Sequence, residues 1–105
     1  MDFLNSDLSK RLYKYVSNLP IIDYHNHLSI SDIETNKRFF DIYDLWICPD
    51  PYKHRAMRMC GVMEEYITGD APKKEKFIKW CETLPKLIGN PLYHWSLMEL
   101  KKVFS

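Results

Sequence analysis

Two histidines one residue apart, His25 and His27, follow an aspartate in the segment Ile21-Ile22-Asp23-Tyr24-His25-Asn26-His27-Leu28. On an extended chain alternate side chains point the same way, so Asp23, His25 and His27 share one face if this segment is a strand. Imidazoles bind divalent metals, and a carboxylate beside them can orient a ring through its other nitrogen. Asp23 is equally suited to a hydrogen bond with neighbouring backbone. Zinc takes three or four ligands from a protein, so two histidines supply only part of a site. Further along, Arg55 and Arg58 lie three apart on one helical face. They could bind a carboxylate in bidentate geometry, although ion pairs with Glu64 or Glu65 are their plainer use.

A few elements have to position these side chains. Leu4, Leu8, Leu12, Tyr15, Val16 and Leu19 recur at helical spacing and predict an amphipathic helix over residues 6–18. Pro20 stops it, and residues 20–28 read as the one strand in the chain. The apolar run Leu19-Pro20-Ile21-Ile22 fits a strand buried on both faces, as in a parallel sheet. Strands need hydrogen-bonding neighbours, and no other segment offers one. The strand edge is therefore expected to pair with another copy or another chain, or with sequence beyond these 105 residues.

Residues 31–105 read as helical. Ser31-Asp32-Ile33-Glu34 has the form of a capping box. Asp41 to Ile47 reads as a short aromatic-rich helical piece, and a turn of helix is expected around Glu64 to Ile67. Asp50-Pro51 is a good helix start, and that helix should end at Gly61. Asp70-Ala71-Pro72 and Asn90-Pro91 begin two more, the first with Phe77, Trp80, Cys81 and Leu84 on its apolar stripe. Met57, Met59, Trp80 and Trp95 read as core, and His94 as packed among aromatics. The last helix meets Ser105 without a C-cap signal, so the end of the chain is expected to be a cut. The expected fold class is mostly α with one short β-strand, in a single unit.

Composition narrows the function classes. With 46% hydrophobic and 14% aromatic residues the chain carries too much apolar material to be a disordered segment. Lys and Arg number 15 against 14 Asp and Glu, a balance that gives no electrostatic footprint for nucleic acid or an anionic membrane surface. No uncharged apolar run approaches the ~20 residues that span a bilayer. The N-terminus has neither the basic nor the apolar region of a secretory signal. Cys48, Cys60 and Cys81 are odd in number and lack a C-x-x-C, which fits a reduced, cytoplasmic setting.

The segment from Ile21 to Leu28 resembles the first-strand motif of the uronate isomerases, a branch of the amidohydrolase superfamily. The likeness runs on through Lys37-Arg38-Phe39, Asp44-Leu45-Trp46, Tyr52-Lys53 and Arg55-Ala56-Met57-Arg58. It continues in Gly61-Val62, Glu65-Tyr66-Ile67-Thr68-Gly69-Asp70-Ala71 and Glu75-Lys76-Phe77, and closes with Ile88-Gly89-Asn90-Pro91-Leu92-Tyr93-His94-Trp95 and Glu99-Leu100. His-x-His alone is a weak signal, whereas the ordered set is highly specific.

The resemblance implies the N-terminal part of a metal-dependent (β/α)8 barrel, a fold that needs ~250 residues and at least ~200. It implies isomerisation of D-glucuronate to D-fructuronate, and of D-galacturonate to D-tagaturonate, in hexuronate catabolism. His25 and His27 match the family's metal-binding histidines, so a divalent metal, typically zinc, is expected in the complete barrel. Tyr52 matches a tyrosine that approaches substrate, Arg55 is a substrate-binding candidate, and Asp23 would support the histidines. The family typically reads His-Tyr-Lys-Trp-Arg where this chain has Pro51-Tyr52-Lys53-His54-Arg55, and Asn26 stands where a cysteine is usual. The chain alone is expected to be inactive. Two other readings are a non-catalytic helical interaction module and a fragment of an amidohydrolase-type metal hydrolase.

Overall fold

The structure, a computed structural model, describes residues 4–104. They divide into two compact units, split between Lys37 and Arg38.

In the first unit, α1 spans Asp7–Val16. The Ser6 hydroxyl accepts the Ser9 amide at 3.1 Å, and the Ser9 side chain reaches back to the Ser6 backbone, a reciprocal cap built from two serines. Asp7 in the first turn and Lys14 in the last complement the helix dipole. The apolar stripe forms as the spacing predicts, but no residue of α1 is buried. α2, Ile30–Glu34, is capped by Ser29, whose hydroxyl accepts the Asp32 amide, rather than by Ser31.

The expected strand is not there. Residues 20–28 carry no strand pairing, and the described residues contain no strand at all. Two local hydrogen bonds show why. The Asp23 carboxylate accepts the His25 amide at 3.1 Å, and the Asn26 side-chain oxygen accepts the Leu28 amide at 3.0 Å. Each Asx turn satisfies a donor that a strand would offer to a neighbour, and bends the chain in doing so. Without a partner for its ladder groups, alternation of side chains cannot make a strand.

The second unit holds the core, built on Tyr43, Ile47, Ala56, Met57, Ile67, Trp80 and Leu87. Tyr43–Ile47 is a wide π-type turn closed by the Cys48 amide on the Tyr43 carbonyl at 2.9 Å. α3, Pro51–Met59, begins on Asp50, whose carboxylate accepts the amides of Tyr52 and Lys53. It ends at Gly61, which takes φ +80° while the Val62 amide reaches the Met57 carbonyl and the Gly61 amide that of Arg58. This paired closure is a Schellman motif, and glycine adopts its left-handed position without steric cost. After a 3-10 turn at Glu64–Tyr66 come α4, Lys73–Thr83, a second 3-10 turn at Leu84–Leu87, and α5, Pro91–Phe104. Ser105, into which the last helix is expected to run, lies outside the described residues.

Two core assignments change. Met57 and Trp80 are each 1% exposed, whereas Met59 and Trp95 face solvent. On α4 Cys81 is exposed and Thr83 is buried, its hydroxyl donating to the Lys79 carbonyl at 2.7 Å. A threonine is tolerated there because the helix's own backbone satisfies its only polar group.

Gly69 is required by space. A Cβ there would lie 2.6 Å from the Glu65 backbone Cα, which cannot swing aside as a side-chain tip could. Gly69→Ala is expected to cost about 1–3 kcal/mol through this overlap, measured as a lower urea midpoint with an unchanged slope. An unchanged midpoint would refute the packing assigned to this turn.

Candidate metal and substrate site

His25 and His27 stand in the first unit, exposed and adjacent, with ring centroids 5.3 Å apart and planes crossing at 70°. Asp23 makes its described bond to the His25 backbone rather than to a ring nitrogen. Among the described residues no three of His, Cys, Asp or Glu gather closely enough to hold a metal ion. The donors present fit a divalent metal as two imidazole ligands, and further ligands would have to come from residues outside these.

Tyr52 and Arg55 stand in the second unit, at the start of α3. They are three apart, so they share a face, and both are exposed. Arg58, one turn on, is committed elsewhere: its Nε donates to Glu64 Oε2 at 2.7 Å and its Nη2 to Glu64 Oε1. Hydrogen bonds from the Arg58 guanidinium and the Thr68 hydroxyl bring the Glu64 carboxyl down to about 2. Sequence spacing treats the two arginines alike, and the structure separates them. Arg58 is held by Glu64, as its neighbourhood suggests, while Arg55 makes no ion pair with any described residue.

The backbone beneath Tyr52 is held by a charged centre that spacing does not disclose. Lys53 is 3% exposed, and its ammonium lies 2.6 Å from Asp50 Oδ2 and 3.8 Å from Glu99 Oε2. It also sits 4.9 Å from the centre of the Trp46 ring and 5.9 Å from that of Trp80. Trp46 Nε1 donates to the same Glu99 oxygen. Burial pushes the Asp50 carboxyl up, but hydrogen bonds from the Lys53 ammonium and from the Lys53 and Tyr52 amides outweigh it and hold it below the ordinary carboxylate value. Folding lowers this pKa, so the pairing stabilises above the unfolded value and is lost as pH falls through the folded one. The available signal was Lys53 three residues after Asp50, but helical spacing marks such a lysine as surface.

The departures from the family pattern are visible here. Pro51 occupies the first position of α3, where its missing N–H costs nothing. His54 buries its Nε2 without a hydrogen-bond partner. A pocket of about 330 Å³ opens between the Cys60–Tyr66 stretch and α4, lined by Lys79, Glu82 and Lys86 among others. It includes none of the candidate residues, and its Lys79 is already tied to Glu82 and lies over the Tyr66 ring. We place no function there. No helix among the described residues is long and apolar enough to cross a membrane.

The profile of the family described as glucuronate isomerase matches residues 1–105. The uronate isomerase of Halalkalibacterium halodurans is 56% identical over 92 residues, covering 88% of this chain and 20% of that protein. Those of Endomicrobium trichonymphae and Cellvibrio japonicus are each 51% identical over 105 residues, covering 98% of this chain and 22% of theirs. The chain thus spans about a fifth of the length of these curated relatives. A match that runs through the whole sequence, histidine pair and α3 alike, means that the chain belongs to the uronate isomerase family.

Proposed function

We propose that this chain supplies the N-terminal portion of a uronate isomerase that interconverts D-glucuronate with D-fructuronate and D-galacturonate with D-tagaturonate. The observation that carries the reading is the family match across the whole sequence. In this reaction a base removes the C2 proton, an enediol forms, and a proton is returned at C1. Arg55 is the cation at the start of α3 left for the substrate carboxylate, and a guanidinium suits it through paired hydrogen bonds. The Tyr52 hydroxyl, on the same face, donates to a sugar oxygen. His25 and His27 would hold a divalent metal, zinc in the amidohydrolase manner, which when bound supplies positive charge to the developing enediolate oxygen. Asp23 sets the backbone on which the pair stands. The base at C2 is assigned to no residue of this chain. Three free cysteines favour a reducing, cytoplasmic setting.

The test joins residues 1–105 to the remaining four-fifths of the Halalkalibacterium halodurans relative. The joined protein is expected to isomerise D-glucuronate, and the 105-residue chain alone to show no turnover. A folded but inactive joined protein would sink the proposal. Turnover by the short chain would sink the claim that it is a portion.

A further inference from the structure

The Lys53 centre joins three parts of the second unit. Asp50 Oδ2 takes the Lys53 ammonium, and Asp50 Oδ1 takes the Tyr52 amide at 2.9 Å. On its other side Lys53 faces Glu99 on α5, and Glu99 is fixed in turn by the Trp46 indole. Both carboxylate oxygens of Asp50 are therefore engaged, one holding the charge and the other the backbone that carries Tyr52.

A lysine this buried is seldom retained for stability. Its desolvation is offset by Asp50 and by the two indole faces; an apolar pair could replace Lys53 and Asp50 together at little cost, but removing Lys53 alone leaves the Asp50 carboxylate without its cation. What methionine cannot do is pull on Asp50.

We propose that Lys53 is a positioning residue. It sets the Asp50 carboxylate, and through that the Tyr52 end of α3, so the orientation of the Tyr52–Arg55 face is tied to α5 through Glu99. The functional meaning rests on the reading of Tyr52 and Arg55 as substrate contacts; the coupling itself does not.

The experiment uses the 15N-labelled full chain without sugar and follows the Tyr52 amide signal against pH. That amide reports the protonation of Asp50, to which it is bonded. The groups facing Asp50 are Lys53 and, beyond it, Glu99. In Lys53→Met the inflection is expected to move up by at least about one pH unit, a tenfold change in proton affinity. The thermal midpoint should fall with the lost pairing, and exchange of the Tyr52 amide should quicken about tenfold more than that of the α4 amides. A merely structural lysine would quicken the Tyr52 and α4 amides alike, and that result overturns the proposal. Glu99→Gln, at a half-exposed position, keeps the variant set informative if Lys53→Met fails to fold. It is expected to shift the Tyr52 inflection downward by a smaller amount, because it removes a like charge that shares the Lys53 ammonium with Asp50, and no shift overturns the tie to α5. Failure of the joined protein to isomerise D-glucuronate would sink the substrate reading and leave these amide results standing.

Discussion

Trp80→Ala is expected to remove about 3–5 kcal/mol of folding stability. Whole small domains are stable by roughly 5–15 kcal/mol, so this variant should be largely unfolded at room temperature. Trp80 is 1% exposed and meets Trp46 edge-on, with ring centroids 6.1 Å apart. Truncation would leave a cavity at the centre of the second unit, and would strip one aromatic wall from the Lys53 ammonium. Trp80→Phe should be far milder, because the indole N–H is buried there without an acceptor and its loss relieves a standing cost. Urea unfolding followed by far-UV circular dichroism checks both. A loss under about 1 kcal/mol for the alanine variant would mean that the core is not organised around this ring.

His25→Ala should act on chemistry with little effect on folding. Its ring is exposed and its described bond to Asp23 runs through the backbone, which alanine retains. In the protein joined to the rest of its relative, isomerisation is expected to fall by more than the ~10–100-fold that loss of an outer metal partner costs, because the proposed function makes His25 a direct ligand. Metal content measured on the purified variant should fall in parallel, while the thermal midpoint of the short chain stays put. His27→Ala should behave alike. Full activity in either variant would remove the pair from the site.

What could be read from residues alone divides along a physical line. The Asp50 cap, the Gly61 closure and the Asn90 cap are made by residues within a few positions of each other, and spacing exposed them. The strand that spacing predicts at 20–28 does not form because its existence depends on a partner, whereas the Asx turns that replace it depend only on Asp23 and Asn26, two turn-forming residues. Lys53 and Thr83 are illegible in the sequence for another reason. Each is made tolerable in the interior by atoms that only the folded chain brings close, indoles in one case and a carbonyl in the other. Met59 and Trp95 show the converse, apolar residues left outside once Met57 and Trp80 filled the core. Residue type and spacing raise His25, His27, Asp23 and Arg55 as candidates, likeness to a family adds Tyr52 and sharpens their roles, and the structure adds the division of labour between Arg55 and Arg58.

The bent segment carrying the histidines also has a bearing on how long the chain survives. Tyr24 is 97% exposed, and Ile21 and Ile22 nearly so, in a segment where the His25 and Leu28 amides are bonded to the nearby Asp23 and Asn26 side chains. A protease must draw several residues into an extended form before it can cut, and this segment offers them without any unfolding. The peptide bonds around the two histidines are thus ones a digesting enzyme reaches without opening the core. Whatever covers that segment in a cell also decides its half-life, and the clipping rate at Tyr24 measures how completely it is covered.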